Sequence, residues 1–245
     1  NYELPMYRQA PALELMLRRM VQNASLVLTV SETAATAINR YYEVPLERIR
    51  AVLLGIDRRH PRRGGARGDW WLFLGGIERR KNLAVLLEAW HRLPEPRDPL
   101  EVVGVLSPSE RHYTRGELVG LGSPGVRRRG FVSEEELELC FQGAIALVHP
   151  SRGEGFGLPV LEAMARGIPV IAADASATPE IAQGAALLVE PEPEPLAAAM
   201  QGLASPEGAG LRFELAARGI ARARELHWQR TCAATVDAYR SVIDE

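Results

Sequence analysis

The sequence predicts an α/β fold, a Rossmann-like doubly wound parallel sheet with helices on both faces. Three observations carry that expectation. Short apolar runs alternate with runs of helical length between residues 70 and 189, the pattern of successive βαβ units rather than hairpins. Two of the short runs, 144–149 (AIALVH) and 169–173 (PVIAA), are almost wholly apolar, as in strands that meet water on neither face. The composition, 47% hydrophobic and 24% charged over 245 residues, is that of an ordinary globular chain.

The elements follow in order. Residues 12–23 (ALELMLRRMVQN) place apolar side chains at helical spacing and predict an amphipathic helix. Residues 25–30 (SLVLTV) predict a strand, and Ser31 caps a helix running to Tyr41. Residues 49–54 form another β-rich run, and Gly55-Ile56-Asp57 reads as a turn. Residues 58–68 (RRHPRRGGARG) lack periodicity and predict a linker. Beyond it, strands are expected at 70–74, 100–105, 126–129, 144–149, 169–173 and 185–189. Helices are expected at 83–93, 109–121, 134–141, 159–166 and 179–182. Ser133 and Glu136 stand at capping-box spacing before the third of these. Pro159 and Pro179 occupy first-turn positions, where a missing N–H does no harm. From Glu194 the pattern is helical, broken near 205–210.

The totals exclude several classes. A net charge of −2 and a pI near 6.3 argue against a dedicated nucleic-acid binder, which carries a basic excess. Cys140 and Cys232 are far apart and form no ligand cluster, in keeping with a reducing cytoplasm. No apolar run approaches the roughly 18 residues of a transmembrane helix. The start, Asn1-Tyr2-Glu3-Leu4-Pro5, lacks the basic-then-apolar order of a signal peptide, and without an initiator methionine the chain reads as a fragment or processed product. Lys81 is the sole lysine; all other basic side chains apart from histidine are arginines.

Chemistry concentrates in residues 149–164 (HPSRGEGFGLPVLEAM). A strand passes through three alternating glycines into a helix with Pro159 in its first turn. Glycine lets backbone approach a ligand closely, and the uncapped N–H groups with the helix dipole favour an anion such as a diphosphate. The dinucleotide pattern G-x-G-x-x-G fails, because Leu158 or Val160 stands where the third glycine belongs. A phosphate-binding Walker loop fails for want of Gly-Lys-Ser/Thr. A plain strand–helix turn is the alternative on glycine pattern alone. Glu154 lies in the loop, and Glu162 lies one turn into the helix, leaning back toward its start. Such a carboxylate suits the paired hydroxyls of a ribose or hexose; alone, Glu162 equally suits a dipole-stabilising surface role.

Residues 151–172 (SRGEGFGLPVLEAMARGIPVIA) resemble the E-x7-E signature of glycosyltransferase family 4, the retaining enzymes of GT-B fold. Ordered neighbours resemble the same family: LGGIERRKNL (74–83), RGFVS (129–133), TPEI (178–181), His227-Trp228, and upstream LTVSE (28–32) and GID (55–57). The resemblance implies a GT-B type fold in which Glu162 holds the ribose and Glu154 lies against the transferred sugar. Gly155, Phe156, Gly157 and Leu158 would line the diphosphate and sugar, with Gly76 beside them. Arg80 and Lys81 would neutralise the diphosphate as it leaves, whereas a solvated charge run with Arg79 is their alternative. Gly130 and Phe131 would receive the nucleobase, Phe131 by stacking or else as a buried turn aromatic. The family often has arginine after the first glycine of the 74–83 segment; Gly75-Gly76 departs from this and leaves the charge to Arg80.

The same resemblance sets the remaining expectations. Residues 1–57 would be the end of an N-terminal acceptor domain, 69–225 the nucleotide-sugar-binding domain, and 226–245 a helix crossing back to the first. The donor is an NDP-sugar, GDP-mannose before a UDP-sugar, and the acceptor a hydroxyl of a glycan or lipid-linked glycan. No Asp-x-Asp triplet occurs, so the chemistry is expected to need no metal or other cofactor. A nucleotide-sugar binder without catalysis is the second reading, since an acceptor half would need roughly 100 further residues or more upstream. An epimerase or phosphorylase is a third, and the cofactor-lysine context of phosphorylases is missing. The expected location is cytoplasmic, with Arg18 and the arginines of 58–67 either touching an anionic inner-membrane face or simply solvated. Glu180 is expected to face the nucleotide or its own helix start, His149 to be packed and satisfied, and Trp228 to lie in the core or at a domain contact.

Overall fold

The computed structural model describes residues 11–57, 68–106 and 118–243. The chain divides into two compact units, Asn1–Asp57 with Leu226–Glu245, and Arg58–Glu225.

In the first unit, α1 (Pro11–Asn23) packs Leu17 and Val21 against a small core that includes Ala35, Tyr42, Val44 and Ile49. Strand β1 (Val27–Thr29) leads to α2 (Glu32–Tyr42), where Ser31 Oγ accepts from Ala34 N at 3.0 Å as the sequence predicts. Strand β2 (Ile49–Ala51) pairs parallel with β1. Both strands are shorter than the expected 25–30 and 49–54.

The second unit is a six-stranded sheet built from β3 (Trp70–Leu74), α3 (Leu83–His91), β4 (Leu100–Val103), β5 (Val126–Gly130), α4 (Glu134–Gln142) and β6 (Ala144–His149). It continues with α5 (Leu158–Ala165), β7 (Val170–Ala173), α6 (Thr178–Ala182), β8 (Leu187–Val189), α7 (Pro193–Ala204) and α8 (Ala209–Glu225). Strand order is β5-β4-β3-β6-β7-β8, every pairing parallel. This is the doubly wound α/β arrangement that the alternation of elements predicts. Strands β6 and β7 are buried along their whole length. The core gathers Trp71, Phe73, Leu86, Trp90, Val148, Ile171, Met200 and Leu203; burying one such side chain contributes about 1.5–3 kcal/mol.

The expected capping box is present: Ser133 Oγ accepts from Glu136 N at 3.2 Å, and Glu136 Oε2 accepts from Ser133 N at 2.9 Å. Most of the helix expected at 109–121 lies outside the described residues, as do residues 58–67 of the linker, and 118–121 form turns. Strand β4 ends at Val103, short of the expected Val105; Gly104 follows at φ 142°, and Val105 O still accepts from Ile77 N at 2.8 Å.

The helical tail breaks at 205–208 and again at Leu226-His227. Its last helix, α9 (Trp228–Ile243), belongs to the first unit. There Thr231 Oγ1 donates to Leu53 O at 2.8 Å, and Ile56 N donates to Leu226 O at 3.0 Å. Gly55 is required by this contact, since a Cβ would stand 2.3 Å from Trp228 N. The indole of Trp228 is not a core residue, contrary to one expectation; it remains 43% exposed because only its backbone is drawn in. No described helix is long and apolar enough to cross a membrane.

Candidate functional site

Chain direction determines where a ligand enters such a sheet. From β3 the strand order runs outward through β4 to β5, and from β6 through β7 to β8. Beyond the carboxyl ends of β3 and β6 the following loops therefore diverge and leave a crevice. Those two loops hold residues 75–82 and 150–157.

The first loop leaves β3 through Gly75, whose φ of 146° excludes most side chains. It closes in a tight 3-10 turn, Arg79–Lys81, ended by Asn82 in the left-handed region at φ 58°. Asn82 is buried, and its Nδ2 donates to Pro150 O and Pro191 O, each at 3.3 Å. Arg152 N and Ser151 Oγ both donate to Arg80 O, at 2.8 and 3.1 Å. The two loops are thus tied through backbone groups, which fixes Arg80 and Lys81 beside Glu154.

Glu154 is 6% exposed. Lys81 Nζ stands 2.5 Å from its Oε1, and Arg80 Nη1 stands 3.4 Å from its Oε2. Arg80 also donates to Gly153 O at 2.9 Å, while its Nε meets Glu78 Oε2 at 2.6 Å. From the loop after β7, Ser176 Oγ accepts from Glu154 N at 3.0 Å and donates to Glu154 O at 2.7 Å. The solvated-run alternative for Arg80 and Lys81 is therefore overturned for the lysine, whose side chain is only 9% exposed, and half-overturned for Arg80 at 39%.

His149, at the end of β6, also differs from its expectation. It is packed, but not satisfied. Its Nε2 lies 3.0 Å from Glu154 Oε1, out of line for a hydrogen bond, and no other group satisfies that nitrogen. Burial pushes the imidazole pKa down; Glu154 opposes this, and Lys81 and Arg80 reinforce it. The ring is therefore neutral near pH 7. For Glu154, burial by itself raises the pKa, but the contacts from His149 and Lys81 outweigh it and hold the carboxyl well below the usual range. With the histidine neutral, the ammonium is the group that keeps this carboxylate ionised.

Glu162 lies elsewhere. It is half-buried on α5 and lines a cavity of about 530 Å³ together with Glu134, Glu135, Glu138, Leu139 and Arg166. Glu154 does not line that cavity. Arg166 is engaged there already, donating to Glu138 Oε2 at 2.8 Å and Glu162 O at 3.0 Å, with its guanidinium 4.3 Å from the Phe141 ring centre. Between the two carboxylates runs the glycine turn. Phe156 is buried and Leu158 is 41% exposed; Gly155 is half-buried, as is Gly76 on the facing loop. Gly157, at φ 101°, begins α5 with no side-chain cap; Pro159 has no N–H and Val160 N donates to Gly157 O at 3.0 Å, so what the helix start offers an anion is chiefly the positive end of its dipole.

At the end of β5, Gly130 adopts φ 69°, and a Cβ there would meet nothing within 4 Å; the conformation, not space, requires glycine. Phe131 beyond it is 90% exposed, so the buried-turn alternative is excluded. Glu180 occupies the first turn of α6. Among the described residues no group of three or more His, Cys, Asp or Glu side chains is arranged to hold a metal ion. Sequence reasoning missed Ser176 and the organising role of Asn82. Asn82 stood inside the 74–83 segment; for Ser176 there was no signal, because its partner lies 22 residues away.

Comparison with known proteins agrees with this architecture. The family model described as "Glycosyl transferases group 1" matches residues 68–205. O-antigen chain mannosyltransferase B of Escherichia coli is 30% identical over 243 residues, covering 93% of this chain and 64% of that protein. MMP alpha-(1->4)-mannosyltransferase of Mycolicibacterium hassiacum is 33% identical over 156 residues, covering 62% of this chain and 38% of its own. The chain thus spans less than two thirds of the length of these curated relatives. Among solved structures, sucrose-phosphate synthase of Thermosynechococcus elongatus superposes with a TM-score of 0.80 at 23% identity, over 100% of this chain and 66% of that one. Anabaena HepE in complex with UDP-glucose gives 0.82 at 19%, over 98% and 71%. Sheet order, crevice position and a family match over more than half of its residues agree: the chain belongs to the group 1 glycosyltransferases, with the GT-B type fold.

Proposed function

We propose that this chain binds the nucleoside diphosphate of a hexose donor, GDP-mannose before a UDP-sugar, and serves transfer of that hexose, with retention, to a hydroxyl of a glycan or lipid-linked glycan. The carrying observation is the cluster of buried Glu154 and Lys81 with half-exposed Arg80 at the reversal of strand order, beside the uncapped start of α5. Cations and the positive end of a helix in one place suit a leaving diphosphate, whose negative charge grows as the glycosidic bond breaks. In this reading no metal is needed. Glu154 positions the hexose and stabilises positive charge on it, and Glu162 accepts from the ribose hydroxyls.

The preference for guanine draws support from the acidic wall of the cavity beside Glu162. A carboxylate of Glu134 or Glu135 can accept two parallel N–H groups from guanine, whereas uracil offers one N–H between two carbonyl oxygens. The mannosyltransferase names of the relatives favour the same donor. Phe131, standing free at the loop tip, suits a stacked base.

Calorimetric titration with GDP, UDP and ADP tests the reading, with GDP expected to bind most tightly. Glu162→Ala should weaken that nucleotide about tenfold or more, as loss of a charged hydrogen bond does. Unchanged affinity in Glu162→Ala removes the ribose assignment. Because the chain spans 64% of its Escherichia coli relative, a second reading is donor binding without transfer; release of GDP from labelled GDP-mannose, with and without acceptor glycan, separates the two.

A further inference from the structure

The cluster contains a contradiction that the donor reading alone does not resolve. Lys81 is expected to meet the diphosphate, yet its ammonium is already engaged 2.5 Å from Glu154 Oε1. It is the sole lysine in the chain, so no second ammonium can replace it. If it moves toward phosphate, a buried carboxylate oxygen loses its partner, and leaving such a charge unsatisfied is strongly unfavourable. Arg80 cannot compensate from where it stands: it faces the other oxygen at 3.4 Å and is held by Glu78 and Gly153. One further donor is within reach. His149 Nε2 lies 3.0 Å from that same Oε1 and has no hydrogen bond of its own.

We propose that His149 is a positioning residue for Glu154, taking over Oε1 when a nucleoside diphosphate draws the Lys81 ammonium toward its phosphate oxygens. The geometry suits an exchange. The imidazole is 1% exposed at the end of a fully buried strand and cannot move far. Lys81 sits at the end of a flexible stem with three rotatable donors. A small rotation of the carboxylate brings the neutral ring's Nε2–H into line once the ammonium leaves. Glu154 then stays in place for the hexose while its counter-charge serves the phosphate. This inference rests on the proposed diphosphate binding at the same site.

The test compares diphosphate with nucleoside, because only the diphosphate displaces Lys81. Wild-type protein, His149→Phe, His149→Asn and His149→Gln are titrated with GDP and with guanosine, or with UDP and uridine should that pair bind more tightly. His149→Phe and His149→Asn, the latter too short to reach Oε1, should bind the diphosphate about tenfold more weakly, with nucleoside affinity unchanged. His149→Gln, which retains an N–H donor at similar reach, should restore diphosphate affinity. The exchange is overturned if the Phe and Asn variants bind the diphosphate as wild type does. Equal weakening of both ligands, or a Gln variant no better than Phe, overturns it as well by pointing to packing alone. Wild-type protein that binds neither GDP nor UDP instead sinks the donor reading and the exchange with it.

Discussion

Among the described residues of the second unit two carboxylates are withdrawn from water, Glu101 and Glu154, and they are satisfied in different ways. Glu101, on β4, is fully buried, and its oxygens are taken by Arg127 at 3.0 Å and Arg129 at 2.6 Å, both from neighbouring strand β5. The guanidinium-bearing side chains remain 53% and 48% exposed. Glu101 is therefore a fixed anchor for cations that keep their own hydration, and those cations also discourage pairing along the sheet edge. Glu154 lies instead in a loop beyond the strand ends. Its main cation is buried with it, and a third polar group close by is left unsatisfied. Burial of charge is common to both. What separates a candidate site from a structural pair is position at the reversal of strand order, together with partners that have somewhere else to go.

The largest expected effect follows from that difference. Glu154→Ala strands the Lys81 ammonium in a buried setting and should destabilise the fold by about 3–5 kcal/mol, read as a lowered denaturation midpoint. Glu101→Ala should cost less, about 1–2 kcal/mol, because Arg127 and Arg129 can turn to solvent. Equal losses in the two variants would break the comparison.

Acidification sharpens it further. Glu154 has a folded pKa below its ordinary 4.5, so its contribution is complete above that value and is lost as pH falls below it. His149 has a folded pKa below its ordinary 6.5, so the unfolded chain takes up its proton first and stability declines as pH falls through 6.5. Stability should therefore decline in two stages on acidification, and His149→Phe should remove the upper stage. A single transition below pH 4.5 in the wild type would contradict the buried neutral imidazole. The smallest effect is expected at Ser133→Ala, where loss of the capping box costs about 1 kcal/mol, read as a small drop in the denaturation midpoint.

Much of this molecule was legible in its sequence because the relevant information is local. A strand such as 144–149 announces itself within six residues, and Ser133 with Glu136 within four. The glycine turn before α5 and the two glutamates with seven residues between them were equally plain. The partners of those glutamates were not. Lys81 lies 73 residues from Glu154 and Ser176 lies 22 from it, and only the placement of β3, β6 and β7 side by side brings them together. The same holds for Glu101, which sits within an apolar-looking run and depends on arginines 26 and 28 residues away.

The sequence by itself determined the alternation of elements, the helix starts and the family motif, since periodicity and capping act over one or two turns of chain. Tertiary structure alone decided that Glu154 is charge-locked while Glu162 faces a separate acidic cavity, that Phe131 stands exposed, and that Nε2 of His149 lacks a hydrogen bond. Such outcomes depend on which strand ends become neighbours and on how much water remains between them, and neither quantity is written in any short window of residues.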